Sequence, residues 1–301
     1  MAAQHIPVLE TAPSRSFAPY LSLTKPDVNI LIAITTLAGF CLALPDASHG
    51  FPVLLLIHTL LGTMLVASGA AALNQYVERD FDALMRRTKR RPLAAGSMEP
   101  ERALWFGVAL STVGIVDLAV AVNLLASLLA AVTLLSYLAL YTPLKRKTPL
   151  CTLVGAFPGA VPPLIGWAAA SGGLSVGAWA LYGIVFLWQF PHFMAIAWMY
   201  REDYSQAGYL VLPKGDRRET FVFWQSFVVS LSLIPLSLIP AIAGESGLVY
   251  LAGALISGAI FCYYGARFAF CRSNAAARQL LSASIVYLPV VFILLMLDKT
   301  R

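Results

Sequence analysis

The sequence predicts an all-α bundle that spans a membrane nine times, and three observations carry that prediction. Hydrophobic residues make up 59% of the 301 residues and charged residues 12%, with a mean hydropathy of +0.75; soluble domains run at about 45–50% and about 25%. The apolar residues fall in long runs separated by polar or Gly/Pro breaks. The basic residues fall almost entirely on one side of those runs.

Residues 1–20 are polar and Pro-containing, with Glu10 and Arg15 as their charged groups. They lack the basic-then-apolar layout of a cleavable signal peptide and the Arg-rich amphipathic pattern of a mitochondrial transit segment. They read as a short cytoplasmic tail before a single transmembrane domain over residues 21–301. Crossing about 30 Å of hydrocarbon takes about 20 apolar residues in a helix. Suitable runs lie near Val28–Leu44, Phe51–Leu73, Ala103–Ala121, Leu124–Tyr141, Leu150–Ala170, Ala178–Tyr200, Thr220–Ala243, Leu248–Phe268 and Leu280–Leu297. Unpaired backbone groups facing lipid cost several kcal/mol each, so these runs are helices.

Nine spans make the intervening loops alternate sides, and the basic residues test that alternation. Nineteen of the 21 Lys and Arg residues fall in the N-terminal segment and in the loops after the second, fourth, sixth and eighth spans; only Lys299 and Arg301 fall on the other side. A missed span would scramble this split. It places the N-terminus in the cytoplasm and the C-terminus outside. The net charge of +6 therefore records membrane orientation, and no nucleic-acid partner is expected.

Cys41, Cys151, Cys262 and Cys271 are widely spaced, with no C-x-x-C pair. A disulfide framework, a zinc site and covalent haem attachment all lack support.

Polar residues concentrate at two places. The second span ends in Asn74-Gln75-Tyr76-Val77-Glu78-Arg79-Asp80-Phe81-Asp82, followed by a basic stretch from Arg86 to Arg91. At about 100° per residue, Asn74, Glu78 and Asp82 form one stripe and Asp80 points elsewhere. The plainer reading pairs these acids with Arg79, Arg86 and Arg87 as a solvated helix end. Because the stripe begins inside the apolar run, where polarity is costly and usually functional, a site is the stronger expectation. Three oxygen donors there suit Mg²⁺, which keeps several waters and takes one or two carboxylates plus substrate phosphates. The basic stretch would hold the remaining phosphate charge.

The second concentration closes the sixth span: Trp188-Gln189-Phe190-Pro191-His192-Phe193, then Tyr200-Arg201-Glu202-Asp203-Tyr204. On a continuing helix Gln189, His192 and Asp203 lie within about 60° of one another. Pro191 is expected to bend that helix. A lone membrane histidine is usually a hydrogen-bonded packing residue, but with Gln189 and Asp203 beside it His192 becomes a candidate. His5, His49 and His58 are assigned no role, and Asp117 reads as a paired or snorkelling residue. Pro158, Pro162 and Pro163 with Gly155, Gly159 and Gly166 make the fifth span breakable.

These motifs resemble a known family. N-x-x-x-E-x-D-x-D followed by M-R-R-T-K-R-R-P-L, at the end of the second of nine helices, is similar to the first Asp-rich motif of the UbiA superfamily of intramembrane prenyltransferases. Together with Tyr141-Thr142-Pro143-Leu144-Lys145-Arg146, W-Q-F-P-H-F and E-D-Y-x-x-A-G-Y-x-V-L-P, the likeness runs from about Leu21 to Leu297 and is strongest to the branch that farnesylates haem. The resemblance implies transfer of the farnesyl group of farnesyl diphosphate to a vinyl group of protohaem IX, with water addition, to give haem O and diphosphate.

It implies Mg²⁺ as cofactor, held by Asn74, Glu78 and Asp82 on one helix end and by Asp203, with Glu202 beside it, on the other. Arg86, Lys89, Arg90 and Lys145 become diphosphate partners, while Gln189 and His192 face the acceptor. Two departures stand out. Glu78 occupies a position where the family commonly has Asp, and the D-x-x-x-D spacing of many second motifs is missing, since Met199 and Ala207 flank Asp203 at four residues.

The short tail favours a bacterial inner membrane, with the site toward the cytoplasm and with haem A synthase or terminal oxidase assembly as neighbours. One rival is a prenyltransferase for a quinone precursor or another aromatic acceptor. A second is a porphyrin carrier or transporter without chemistry, which would place its polar groups near the bilayer midplane.

Overall fold

The computed structural model describes residues 17–44, 50–213 and 217–300. Residues 1–16 of the expected tail, with His5 and Arg15, therefore lie outside the described residues, as do His49, Lys214 and Arg301; its last residues enter a helix. Among the described residues nine helices are long and apolar enough to cross a membrane, and each coincides with a span expected from the sequence. The protein is a multi-pass membrane protein.

A short helix, α1 (Ala18–Thr24), turns at Lys25 into the first span, α2 (Pro26–Ala43). Proline at the first helical position suits that turn, since its missing N–H would have been unpaired anyway. The second span, α3 (Val53–Asp82), has 30 residues. At 1.5 Å per residue it is about 45 Å long, well beyond the hydrocarbon thickness, so its last turns emerge as a rigid post. Helix α4 (Pro100–Asp117) runs back and ends in a π-helical turn, Leu118–Val122. Asn123 then caps α5 (Leu124–Ser136), its side chain accepting from the Ala126 N–H at 2.9 Å. A second π-helical turn, Tyr137–Tyr141, leads into the single turn α6 (Thr142–Leu144).

The fifth span is broken, as its prolines predict: α7 (Cys151–Gly159) and α8 (Pro162–Ser171) meet at Ala160–Val161. The sixth span, α9 (Val176–Met199), is followed by the short α10 (Arg201–Gln206), then by α11 (Arg217–Ile242), α12 (Leu248–Cys271) and α13 (Asn274–Leu297). The helices pack as a closed ring in which α13 returns against α2, while α2 also crosses α8. That crossing is close because it is made by glycines. A Cβ on Gly39 would strike the Pro163 carbonyl, and one on Gly166 would strike the Thr36 carbonyl. Small residues at helix crossings replace the hydrophobic drive that lipid cannot supply.

Two cores result. One gathers Leu181, Ile184, Trp188, Phe223, Phe261 and Phe292 among α9, α11, α12 and α13; the other gathers Phe40, Val66, Leu118, Ala130 and Ile165. Outward-facing Val120, Trp105 and Leu248 are largely exposed, as lipid-facing side chains are. All four cysteines are free thiols. Asp117 is paired, with its Oδ1 2.8 Å from His58 Nδ1.

One geometric expectation is corrected. The helix carrying Gln189 and His192 does not continue to Asp203: Tyr200 departs from helical geometry and α10 starts afresh. Pro191 sits within α9 without ending it, so the break lies two turns later than the proline.

Candidate active site

The projecting end of α3 carries the site. Asn74, Glu78 and Asp82 are buried on one face, whereas the Asp80 side chain is 79% exposed, as the helical stripe predicts. Asn74 Nδ2 donates to Glu78 Oε2 at 2.8 Å. The hydroxyl of Thr142 donates to Asn74 Oδ1 at 2.9 Å, so α6 fixes the amide's orientation. Lys145, one residue beyond α6, sits 2.8 and 3.0 Å from the two Glu78 oxygens and 4.5 Å over the Tyr141 ring. Burial alone would lower the Lys145 ammonium, but Tyr141, Glu78 and Tyr137 around it outweigh this and hold its pKa well above the ordinary lysine value.

The loop after α3 folds back over this face. Arg91 pairs with Asp82 Oδ2 at 2.7 Å, and the Thr88 hydroxyl donates to the Asp82 carbonyl at 2.8 Å. The same loop reaches the second acidic element: Arg86 Nε donates to Asp203 Oδ1 at 3.0 Å and the Arg87 N–H to Asp203 Oδ2 at 3.2 Å. Asp82 and Asp203 are thus two buried carboxylates joined through six residues of one loop. Met85, Ala207 and Tyr209 pack beneath it, with Phe81 and Tyr204 around them, and the Leu210 N–H donates to the Lys145 carbonyl at 2.7 Å.

Not every expected residue is at this centre. Lys89 and Arg90 are exposed, and Arg91 makes the inward contact instead. Glu202 is also turned to the surface, where Arg86 reaches it at 3.4 Å. Gln189 and His192 diverge. The amide of Gln189 donates to the Ala156 carbonyl at 3.1 Å, filling the space that Gly159 leaves. His192 Nδ1 lies 2.8 Å from Ser284 Oγ on α13, its ring stacked on Trp188 at 4.8 Å.

Sequence reasoning missed three contributors. Arg91 was one residue beyond the cations singled out. Thr142 lay inside a quoted motif without a role. In the sequence Lys25 is simply one of the nineteen basic residues on the cytoplasmic side. It takes the left-handed backbone conformation at the α1–α2 turn, φ +50°, and that turn is pinned to α3 by Gln75 Nε2 donating to the Leu23 carbonyl at 3.0 Å. Burial, then repulsion from Arg91 and Lys145, pulls the Lys25 pKa down to about 7, with Glu78 and Asp82 opposing the fall. Lys25 is partly accessible by surface and yet surrounded by protein, as a side chain lining a cleft would be.

The donor set fits Mg²⁺. Asp82 Oδ1 is buried without a hydrogen-bond partner, and an orphaned carboxylate oxygen is costly unless something binds it. Among the described residues no three Asp, Glu, His or Cys side chains converge to hold an ion alone. That matches an ion completed by phosphate oxygens and water.

Buried carboxylates on α3 and α10, tied together by Arg91 and Arg86 of one loop at the end of a membrane bundle, suit a membrane-embedded prenyltransferase; the chain belongs to the UbiA prenyltransferase family, whose pattern covers residues 32–293. Within that family it is 49% identical over 286 residues to the protoheme IX farnesyltransferase of Solibacter usitatus, covering 93% of this chain and 98% of that one. It is 40% identical over 290 residues to the enzyme of the same name from Koribacter versatilis, covering 93% of each. Among solved structures, a digeranylgeranylglyceryl phosphate synthase aligns with a TM-score of 0.73 at 18% identity, over 94% of this chain and 98% of that one. A UbiA homologue from Archaeoglobus fulgidus bound to GPP and Mg²⁺ aligns at 0.60 and 17%, over 92% and 99%. These two show the fold.

Proposed function

We propose that the chain transfers the farnesyl group of farnesyl diphosphate to a vinyl group of protohaem IX, with addition of water, giving haem O and diphosphate. The relatives' common name supports the acceptor. The observation that supports the chemistry is the single loop whose Arg91 and Arg86 grip Asp82 and Asp203.

Mg²⁺, held by Asn74, Glu78, Asp82 and Asp203 when bound, would neutralise the charge that builds on the departing diphosphate. The chain's own cations do the rest. Lys145, Arg91 and Arg86 each neutralise one buried carboxylate here, and substrate binding turns them toward the diphosphate oxygens, where Lys25 adds a fourth positive charge. Such fixed, oriented cations stabilise a leaving anion without reorganising during the reaction. The allylic C1 becomes electrophilic as the C–O bond weakens, the haem vinyl carbon attacks it as diphosphate departs, and water captures the resulting cation, releasing one proton to the diphosphate or solvent. Gln189 and His192 orient the acceptor or that water.

The cytoplasmic orientation of the site follows from the basic loops on its side. In a bacterium the membrane is the inner one. Haem O would pass within the bilayer to a haem A synthase or to a terminal oxidase under assembly. Mass analysis of haems extracted from cells expressing the chain decides the reading: farnesylated haem is expected, whereas a prenylated quinone precursor, or no prenylated product, overturns it.

A further inference from the structure

A second polar site lies at the other end of α3. His58 stands five residues into that helix, and its Nδ1 is 2.8 Å from Asp117 Oδ1. Together they line an open groove of about 540 Å³ whose other walls are Thr112, Val113, Val116, Val120 and Ala121. Sixteen residues of helix separate His58 from Asn74, about 24 Å, so the groove cannot belong to the carboxylate site.

Three features distinguish this pair from a neutralised charge packed against lipid. Asp117 Oδ2 is buried with no hydrogen-bond partner. The helix carrying Asp117 passes at the next residue into a π-helical turn, a local distortion often found where a helix builds a site. The His58 side chain remains 31% exposed, and among the described residues nothing hydrogen-bonds to its Nε2. An imidazole whose Nδ1–H donates to a carboxylate has its tautomer fixed, with the lone pair on Nε2. This is the arrangement by which proteins present histidine to a metal.

The surrounding wall selects the metal's form. A hydrated divalent ion gains little from four valine and alanine side chains, and besides His58 and Asp117 the groove offers it only the Thr112 hydroxyl. A flat, apolar metal complex that needs one axial nitrogen matches both the walls and the donor. We propose that this groove binds the iron porphyrin acceptor through His58 Nε2, as a holding site apart from the carboxylate site. The inference rests on the haem-farnesylating reading for its ligand, but its test does not depend on turnover.

The test is absorption titration of the purified full-length protein, in lipid nanodiscs without farnesyl diphosphate, with iron protoporphyrin IX and in parallel with metal-free protoporphyrin IX. Wild type is expected to show a histidine-ligated Soret band for the iron compound and weaker binding of the metal-free ring. The His58→Gln variant should lose that band, and Asp117→Asn should keep it with an affinity reduced about 10- to 100-fold, the usual effect of removing a carboxylate behind a ligating histidine. Size-exclusion profiles check that both variants fold. Kinetically, His58→Gln should raise the KM for haem supplied from liposomes at least several-fold and leave kcat unchanged. An unaltered ligated band in His58→Gln, equal binding of the metal-free ring, or a fall in kcat with no change in KM would overturn the proposal. Loss of haem O formation by the wild-type chain would strike the proposed function and leave this titration standing.

Discussion

Lys145 closes on Glu78 from the loop after α6, its ammonium within hydrogen-bond reach of both carboxylate oxygens and 4.5 Å over the Tyr141 ring. The pair joins the end of α3 to the loop after α6. Without ligand it satisfies a carboxylate that would otherwise be buried alone, and with ligand it has a second negative partner to turn to. The site is therefore preorganised for one charge arrangement and convertible to another.

Replacing Lys145 by Met should expose that duality. Removing one partner of a buried ion pair costs about 3–5 kcal/mol because the other charge is left uncompensated. Mg²⁺ can supply the missing charge. Thermal melts should thus show Lys145→Met strongly destabilised in chelator and recovering on Mg²⁺ addition by more than wild type gains. Equal Mg²⁺ shifts in the two proteins would mean that Glu78 does not face the ion.

Asp82 tests the chemistry more directly. Its Oδ1 is the orphaned acceptor of the site, while Oδ2 holds Arg91. Asp82→Asn keeps the shape and removes the charge. A loss of about 3 kcal/mol of transition-state stabilisation, roughly 10²-fold in rate, is expected in haem O formation at saturating Mg²⁺. Undiminished turnover would contradict the site.

How far the sequence alone reached depends on range. Helical periodicity is local, so the Asn74–Glu78–Asp82 stripe and the outward Asp80 were legible from spacing, and the nine spans from hydropathy and the one-sided charges. Pairings across the chain were not. Whether Arg90 or Arg91 meets Asp82 depends on a loop path with no periodicity, and Lys25 comes near Glu78 through an α1–α2 turn that Gln75 and Asn29 tie to α3. The α9–α10 break arises at Tyr200, a residue with no breaking propensity, so extrapolating one helix from Gln189 to Asp203 failed there.

Lys25 should leave a pH signature. Its pKa falls from 10.5 in the unfolded chain to about 7 in the fold, so between those values the unfolded chain binds the extra proton. Stability must therefore rise with pH across that window and be lowest, in this respect, below pH 7. Lys25→Met should flatten the rise in melting temperature between about pH 7 and pH 10. Because a bound diphosphate favours the charged amine, wild type at pH 8 should take up protons on binding farnesyl diphosphate, measured by calorimetry in buffers of different ionisation heat. The Lys25→Met variant should take up fewer. Identical uptake would remove Lys25 from the site.

The α2–α8 crossing makes a stability prediction independent of ligands. An added methyl at Gly166 meets the Thr36 carbonyl, which is backbone and cannot swing aside. Gly166→Ala should cost about 1–3 kcal/mol, the usual range for overpacking, and lower the melting temperature. Gly173→Ala, with open space around its site, is the matched control and should be nearly neutral.

His192 is the residue whose role the geometry divides most evenly. Its Nδ1 is engaged by Ser284 and its ring rests on Trp188, whose own Nε1 donates to the Ser284 carbonyl at 2.7 Å. Together the three bind α9 to α13, which would suffice for a packing histidine. If His192 also orients haem or the attacking water, its deletion must reach the product and not only the fold. His192→Ala should then lower haem O formation well beyond what Ser284→Ala does, since the latter removes the ring's anchor but keeps the ring. Comparing haem O yield with melting temperature for both variants separates the roles. Equal losses of stability with wild-type haem O from His192→Ala would confine His192 to packing.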